Sequence, residues 1–371
     1  MSKVAIVGTG QTKFSKDEGD VEKLLFESGN DCLQSTDNCD LNDIDGVLVS
    51  TNSNSKYLGA ILSETMGIRP KISHSIEHLC SSGTNAIISA YAYISSGLSD
   101  IVLVSGAESA TNPGQILEWD KSRGSLEHPI YWGSMLTKSH KRKFQTTEEE
   151  LAIVSAKNHK QAMDNPFAYS NEPKTISEVM NSKQITEDLR ILDCSRSCSG
   201  SSSILLASEE KAKTLSDQPI WITGLGQKTT SASFTKNFLG KIESTRIAVD
   251  LAYKMAKIEP KNINVAEVHD AFSVCELMAL SELGITSNEK SGEFVRNLFN
   301  TENKMINPRG GLIGAGHPLG ATGISQTIEI TNQLQGKSGK RQISNAETGL
   351  IHNMSAAEHQ VQSWYYKIDI F

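Results

Sequence analysis

The chain has 371 residues, 38% of them hydrophobic and 21% charged, which is enough length and apolar content for one large core or two fused ones. Its 36 Lys and Arg against 43 Asp and Glu leave a formal net charge of −7, the wrong balance for a nucleic-acid binder. The 6 cysteines are too sparse for a disulfide scaffold, and the lone CxxxC of Cys194 and Cys198 has no second pair to complete a zinc site.

The opening, MSKVAIVGTGQTKF, lacks the long apolar core of a signal peptide. No run approaches the roughly 20 apolar residues of a membrane span, and KIDIF is not a peroxisomal address. A cytoplasmic location with free thiols is the expectation. KVAIVG reads as a strand followed by a turn. The GxG there lacks the third glycine of a dinucleotide loop, and Phe14 falls where the helix should begin. DGVLVS (45–50) and DIVLVSG (100–106) read as strands buried on both faces, with a helix at 81–97 between them, so the layering is α/β.

Residues 111–190 differ: they carry Trp119, Trp132, polar turns and the basic run KSHKRKF, which reads as a solvated face. TTEEELAIVSAKNHKQAM opens with the Thr-then-Glu pattern of a capped helix, so this stretch is an inserted, partly helical lobe. SSSILLAS and PIWITGLG return to strands. STRIAVDLAYKMAKI (244–258) is an amphipathic helix, NVAEVHDAF a strand running into a turn, and SVCELMALSELG a helix ending at Gly284. SIEHLCSSGTNAIISA and VAEVHDAFSVCELMAL each lead from an acidic residue past a polar or reactive tip into a helix, which suggests an internal duplication.

Four segments hold candidate chemistry. Cys80, in EHLCSSGTNA, sits where a helix N-terminus would lower its pKa and make it nucleophilic; a buried structural thiol is the alternative. His317 lies in GGLIGAGHPLGATG, residues 310–323, where 6 of 14 positions are glycine against about 7% in an ordinary chain. Such glycines permit sharp turns and close approach by a ligand or another backbone, and a neutral imidazole there can take a proton from a thiol. His269, in EVHDAF, is either structural or functional; Asp270 could fix its tautomer or cap the next helix. His352 and Asn353, in GLIHNMSAAEH, taken alone read as a satisfied turn.

Together these motifs resemble the thiolase family, in particular its archaeal-type branch related to the sterol-carrier-protein-x thiolases and the acetyl-CoA acetyltransferases. VAIVGTGQTKF is similar to the family's opening strand, CSSGTNAI to its nucleophile turn, and EELAIVSAKNHKQAMDNPFA with RILDCS to its loop domain and exit strand. EVHDAF is similar to the His-first variant of its NEAF box, and GHPLGATG to GHPxGxTG. The resemblance implies an α/β thiolase fold, with two duplicated βαβαβαββ halves packed as a five-layered αβαβα sandwich. The expected division is 1–240, with a loop domain inserted at about 111–190, and 241–371.

It also implies thiolytic cleavage of acetoacetyl-CoA or another short 3-ketoacyl-CoA, or the reverse Claisen condensation. Cys80 would be the acyl-accepting nucleophile. His317 would activate it and help stabilise the enolate oxygen, and His269 would hold a water that completes that oxyanion hole. Thr245, Gly316 and Ser355 are the candidate CoA-contacting positions. Coenzyme A enters as a substrate, with no resident cofactor and no metal. The expected assembly is a homodimer or dimer of dimers, with a small OB-fold acyl-CoA-binding protein as a candidate partner.

Two segments depart from the family. Where many members have a Cys-x-Gly-Gly turn, this chain has Asn353, Ser355 and Ala356, so His352 is the nearest replacement base. Where Asp-Gly-Ala-Ala is usual, it has CSRSCSGSSS. These departures keep open a catalytically impaired acyl-CoA-binding subunit that works with a partner. A ketoacyl-synthase-like condenser is disfavoured by GHPxGxTG.

Overall fold

The computed structural model of the protein describes residues 3–37, 39–110, 124–231 and 239–355, and the strand 360–367. In chain order the first part holds β1 (Val4–Gln11), α1 (Val21–Gln34), β2 (Gly46–Ser50), α2 (Leu58–Met66), β3 (Ile72–Ile76), α3 (Ser82–Ser95) and β4 (Ile101–Glu108). The inserted lobe follows, with α4 (Pro129–Phe144), α5 (Glu148–Ala162), α6 (Ile176–Met180) and the hairpin β5 (Gln184–Thr186) and β6 (Leu189–Arg190). Next come β7 (Gly200–Ser208), α7 (Glu209–Leu215), β8 (Ile220–Thr229), α8 (Glu243–Ala256), β9 (Val265–Glu267) and α9 (Ser273–Glu282). The chain closes with α10 (Ser291–Asn300), α11 (Gly311–Ala315), α12 (Leu319–Leu334), β10 (Thr348–Met354) and β11 (Gln360–Lys367).

The Val- and Ile-rich runs form strands covered on both faces: every residue of β2, β4 and β7 is buried. Nine strands form one sheet in the order β3-β2-β4-β7-β1-β8-β11-β10-β9. The duplication is legible in the pairing. β2 and β4 are parallel, and β4–β7 and β7–β1 antiparallel. β9 and β10 are likewise parallel, and β10–β11 and β11–β8 antiparallel. The halves join where Ala5 and Ile6 of β1 pair with Trp221 and Ile220 of β8.

α3 and α12 lie together between the two half-sheets. Ala86, Ile87, Ile324 and Ile328 share one core with Leu48, Val104, Val265 and Ile351. α1 and α2 cover the outer face of the first half, with Leu25, Leu58 and Leu62 buried against Val47, Leu103 and Leu205. α8 and α9 cover the second, where the inserted lobe joins through Trp132 and Val154. This is the five-layered αβαβα sandwich.

The structure revises two of the expected details. β1 does not turn at GTG but runs through it to Gln11, and side chains at Gly8 and Gly10 would run into the backbone of α1. The internal repeat is also differently registered. β9, before His269, is the counterpart of β2, not of the strand before Cys80. Cys80 and His317 are the equivalent pair, each introducing a central helix, with Gly83 and Gly320 three residues on.

A methyl group at Gly320 would lie 2.5 Å from the Ser50 carbonyl oxygen, 2.8 Å from Thr51 Cα and 2.9 Å from the Ala107 carbonyl oxygen. All three are backbone atoms that cannot swing aside. Gly320→Ala is expected to cost about 1–3 kcal/mol of stability in urea denaturation; an unchanged midpoint would show that this crossing can yield.

Candidate active site

Cys80 sits in a short 3₁₀ turn, Leu79–Ser81, immediately before α3. The preceding residue, Leu79, has a left-handed φ of 50°, a conformation that persists in a non-glycine residue only where its surroundings hold it. Its N–H donates to Glu77 Oε1 at 2.8 Å, and its carbonyl accepts from Asn52 Nδ2 at 3.0 Å and from the Ser82 hydroxyl at 2.7 Å.

His317 reaches the thiol from the other half. The Cys80 sulfur and one ring nitrogen each of His269 and His317 lie within 4.8 Å of one another. The two imidazoles meet edge to face, centroids 5.2 Å apart. All three line one cavity of about 740 Å³, whose other walls include Ile130, Trp132, Phe272 and Ser355.

Hydrogen bonding assigns the His317 tautomer. The Thr322 hydroxyl donates its one proton to the Pro318 carbonyl at 2.9 Å, so at 2.8 Å from His317 Nδ1 it accepts. Nδ1 therefore carries the hydrogen, and Nε2, which has no protein partner, keeps its lone pair.

Burial keeps this site neutral. It pushes the Cys80 thiol up to about 12, with Glu108 and Glu77 adding to the shift. This reverses the expectation of a thiol acidified by a helix N-terminus: enclosure outweighs the dipole of α3. Burial, with Arg309, takes His317 down to about 3. Burial, then the neighbouring His317 and His352, holds His269 well below the ordinary histidine value. The resting pair is a thiol beside a neutral imidazole.

The glycines serve the protein rather than a ligand. Gly310, Gly311 and Gly316 have φ of 105°, 58° and 102°, which L-residues resist. A side chain at Gly314 would meet the Asn158 carbonyl oxygen, and one at Gly323 would meet Thr84 N at 2.8 Å. Gly316 does not touch substrate space: its missing side chain would lie 2.8 Å from Cys198 Sγ and 2.9 Å from Tyr169 Cβ.

Three other candidates also stand away from the cavity. His352 is fully buried; its Nδ1 accepts from the His269 N–H at 3.4 Å, which leaves Nε2–H for the Thr245 hydroxyl at 3.2 Å. Both nitrogens are engaged, so His352 is a brace for the His269 backbone rather than a free base. Thr245 is spent on that contact and is itself buried. The Asn353 amide donates to Gln326 Oε1 at 2.7 Å. Ser355 does line the cavity; Ala356 lies outside the described residues.

Asp270 caps a helix, but not the next one. Its carboxylate accepts from Leu312 N at 2.6 Å and Ile313 N at 3.2 Å, at the start of α11, and from Asn158 Nδ2 at 2.7 Å. Two further residues were not evident from sequence. Thr322 sits inside the glycine-rich motif, five residues after His317. Glu108 ends β4, buried, and accepts from Gly320 N at 3.2 Å and Asn52 N at 3.1 Å, tying the start of α12 to the first half. The signal for Glu108 was present: an acidic residue at the end of an otherwise apolar strand.

The fold and site define a duplicated α/β protein whose two central helices present a cysteine and a histidine to each other. Residues 4–188 match the thiolase N-terminal domain model and residues 225–363 the thiolase C-terminal domain-like model. The chain belongs to the thiolase family. It is 32% identical over 372 residues to the acetyl-CoA acetyltransferase of Methanothermobacter thermautotrophicus, covering 95% of this chain and 96% of that one. It is 29% identical to sterol carrier protein 2 of Bos taurus, covering 98% of this chain and 72% of that protein.

Among solved structures, the Ltp2-ChsH2(DUF35) aldolase superposes with a TM-score of 0.87 at 21% identity, covering 99% and 98% of the two chains. The acetyl-CoA acetyltransferase from Syntrophomonas wolfei superposes with a TM-score of 0.77 at 18% identity, covering 100% of both. Among the described residues no helix is long and apolar enough to cross a membrane.

His352 supplies a pH test. Burial lowers it to about 3 from an unfolded value near 6.5. Between those values the unfolded chain binds the proton and the folded one does not, so this contribution to stability is present above pH 6.5 and lost as the pH falls. The stability advantage of wild type over His352→Gln should narrow from pH 7 to pH 4, by at most about 1.4 kcal/mol per unit. Urea denaturation at both pH values checks this; a constant gap would contradict a neutral buried imidazole.

Proposed function

We propose that this chain is an active acetyl-CoA acyltransferase that cleaves acetoacetyl-CoA, or another short 3-ketoacyl-CoA, through an acyl-Cys80 intermediate, and that it runs the reverse condensation. The observation that carries this reading is the convergence of the Cys80 thiol and the unpartnered Nε2 of a neutral His317 on one cavity. The 32% identity to an acetyl-CoA acetyltransferase over nearly the full length supports it.

The residues suggest a one-base route. His317 Nε2 takes the thiol proton as sulfur attacks the 3-keto carbon. The C2–C3 bond breaks, and its electron pair leaves as the enolate of acetyl-CoA. The His317 imidazolium returns its proton to C2. Incoming CoA then gives its thiol proton to His317 and attacks acyl-Cys80, and the released Cys80 sulfur takes that proton back. In this reading His269 holds the water that completes the oxyanion hole, a role worth roughly 3–4 kcal/mol in comparable sites.

A thiol near 12 beside an imidazole near 3 does not ionise at rest. The proton moves only as negative charge passes into the substrate, where the donors await it.

A second reading is an acyl-CoA-binding subunit that works with a small OB-fold partner. One observation favours it: a solved protein of the same fold bears a name, Ltp2-ChsH2(DUF35) aldolase, that pairs two components.

Loss of acetoacetyl-CoA absorbance on adding CoA tests the first reading. Cys80→Ala should abolish it, and His317→Ala should lower it by about 10²–10⁴-fold. Equal rates for wild type and Cys80→Ala would sink it. Acetyl groups found on Cys80 by intact mass, without turnover, would favour the second reading. Thr322→Val keeps the shape but frees the tautomer; it should lower kcat by about tenfold with KM unchanged, and Thr322→Ser should restore it.

A further inference from the structure

Among the described residues that line the cavity beside Cys80, one carries a formal charge. Arg196 lies in its wall, half-buried. The main chain fixes its origin: the Arg196 carbonyl accepts from the His317 N–H at 2.8 Å, and the preceding Ser195 N–H donates to the Ala271 carbonyl at 2.9 Å. The guanidinium therefore springs from a segment stitched to both histidine-bearing turns. It makes no ion pair and no side-chain hydrogen bond with any described residue.

Among the described residues no carboxylate lines the cavity. The acids nearby are committed elsewhere. Glu172, which with Lys174 and Arg196 surrounds His159, is paired with Lys174 at 3.0 Å. Asp193 accepts from the Ser273 hydroxyl at 3.1 Å and from Arg190 N at 2.9 Å.

A half-buried guanidinium without a protein partner keeps its donors open to a ligand anion. A guanidinium is shaped for planar, two-point recognition of a carboxylate. An acyl-CoA could bring that anion from either end. Arg196 is bonded through its backbone to His317, so its side chain starts beside the turn that carries the proposed base. The CoA diphosphate lies a whole pantetheine arm from the sulfur. The end of a short acyl tail is the group in reach.

We propose that Arg196 sets the substrate class of this cavity, and that the preferred acyl group ends in a carboxylate: a short 3-oxo dicarboxylic acyl thioester, held by its free carboxylate while the 3-keto carbon faces Cys80. The segment CSRSCSGSSS, which carries Arg196, is then the specificity element of this chain. The proposal rests on the acyl-CoA reading above and names the substrate within it.

Succinyl-CoA and butyryl-CoA differ in the terminal carboxylate at equal chain length. Their binding is measured by calorimetry, in a Cys80→Ala background to prevent acyl transfer. The parent should bind succinyl-CoA at least about tenfold more tightly, the ratio expected of a charge-assisted pair. Adding Arg196→Met should remove that preference and leave butyryl-CoA affinity within about twofold, whereas Arg196→Lys should keep part of it.

Equal affinity of the parent for both thioesters overturns the proposal. A parallel loss of both in Arg196→Met also overturns it and reassigns the guanidinium to the CoA phosphates. Binding of neither thioester overturns the acyl-CoA reading itself. A carboxylate preference in a protein that turns nothing over upholds this proposal while the thiolase reading fails.

Discussion

Everything in the candidate site depends on how closely the two central helices can approach. A side chain at Gly83 would sit 3.0 Å from the Gly320 carbonyl oxygen and 3.2 Å from Ile324 N, and one at Gly323 would sit 2.7 Å from Thr84 Cγ2. The N-terminal turns of α3 and α12 therefore meet backbone to backbone. Each carries its reactive residue just before its first turn, at the same offset from the crossing glycine. Two copies of one α/β unit, packed through their central layer, thus turn a repeated local geometry into a pair of different reactive groups. The Ser50 hydroxyl bonded to the Gly320 carbonyl at 2.7 Å, and Glu108 bonded to its N–H, lock this contact from the β2 and β4 side.

The second constraint is dielectric. The crossing that joins Cys80 to His317 also removes water from them, and both are driven toward their neutral forms. Placing a thiol at the foot of a helix does not make a thiolate when the same fold encloses it. One layer back from the cavity, buried charge is held in pairs: Glu267 with Arg309 at 3.2 Å and Lys157 with Glu276 at 3.1 Å. Those pairs hold β9, α5, α9 and the loop before α11 in register, so that the turn bearing His269 is fixed from outside the cavity.

The fold was legible because its signals are local. Valine-rich strands, the capped helix at Thr147 and the glycine-rich motif each report their own backbone. The three residues that converge on the cavity were legible for the same reason, each lying in a distinctive turn. What the sequence hid was long-range. Nothing around His352 says that its two nitrogens are taken by Thr245 and by the His269 backbone, 107 and 83 residues away. Nothing in EVHDAF says that Asp270 caps a helix 42 residues downstream. A glycine-rich motif is equally consistent with room for a ligand and with close backbone approach, and only the packing shows that protein atoms fill the space these glycines leave. The internal repeat was sensed and misregistered because pairing order, not residue similarity, identifies equivalent strands.

The altered C-terminal turn takes on a different meaning once those contacts are in place. The turn supplies no replacement base, because both His352 nitrogens are engaged by Thr245 and the His269 backbone, and the Asn353 amide has no basic nitrogen. In the proposed chemistry proton transfer then falls to His317. One base is sufficient if its tasks never coincide. While Cys80 is a free thiol, His317 serves it. Once Cys80 is acylated the sulfur has no proton to exchange, and the imidazole is released to act on the α-carbon or on incoming CoA. The Nδ1–H bond to Thr322 keeps the reactive lone pair on Nε2 through both tasks, so the geometry set for the first also serves the second.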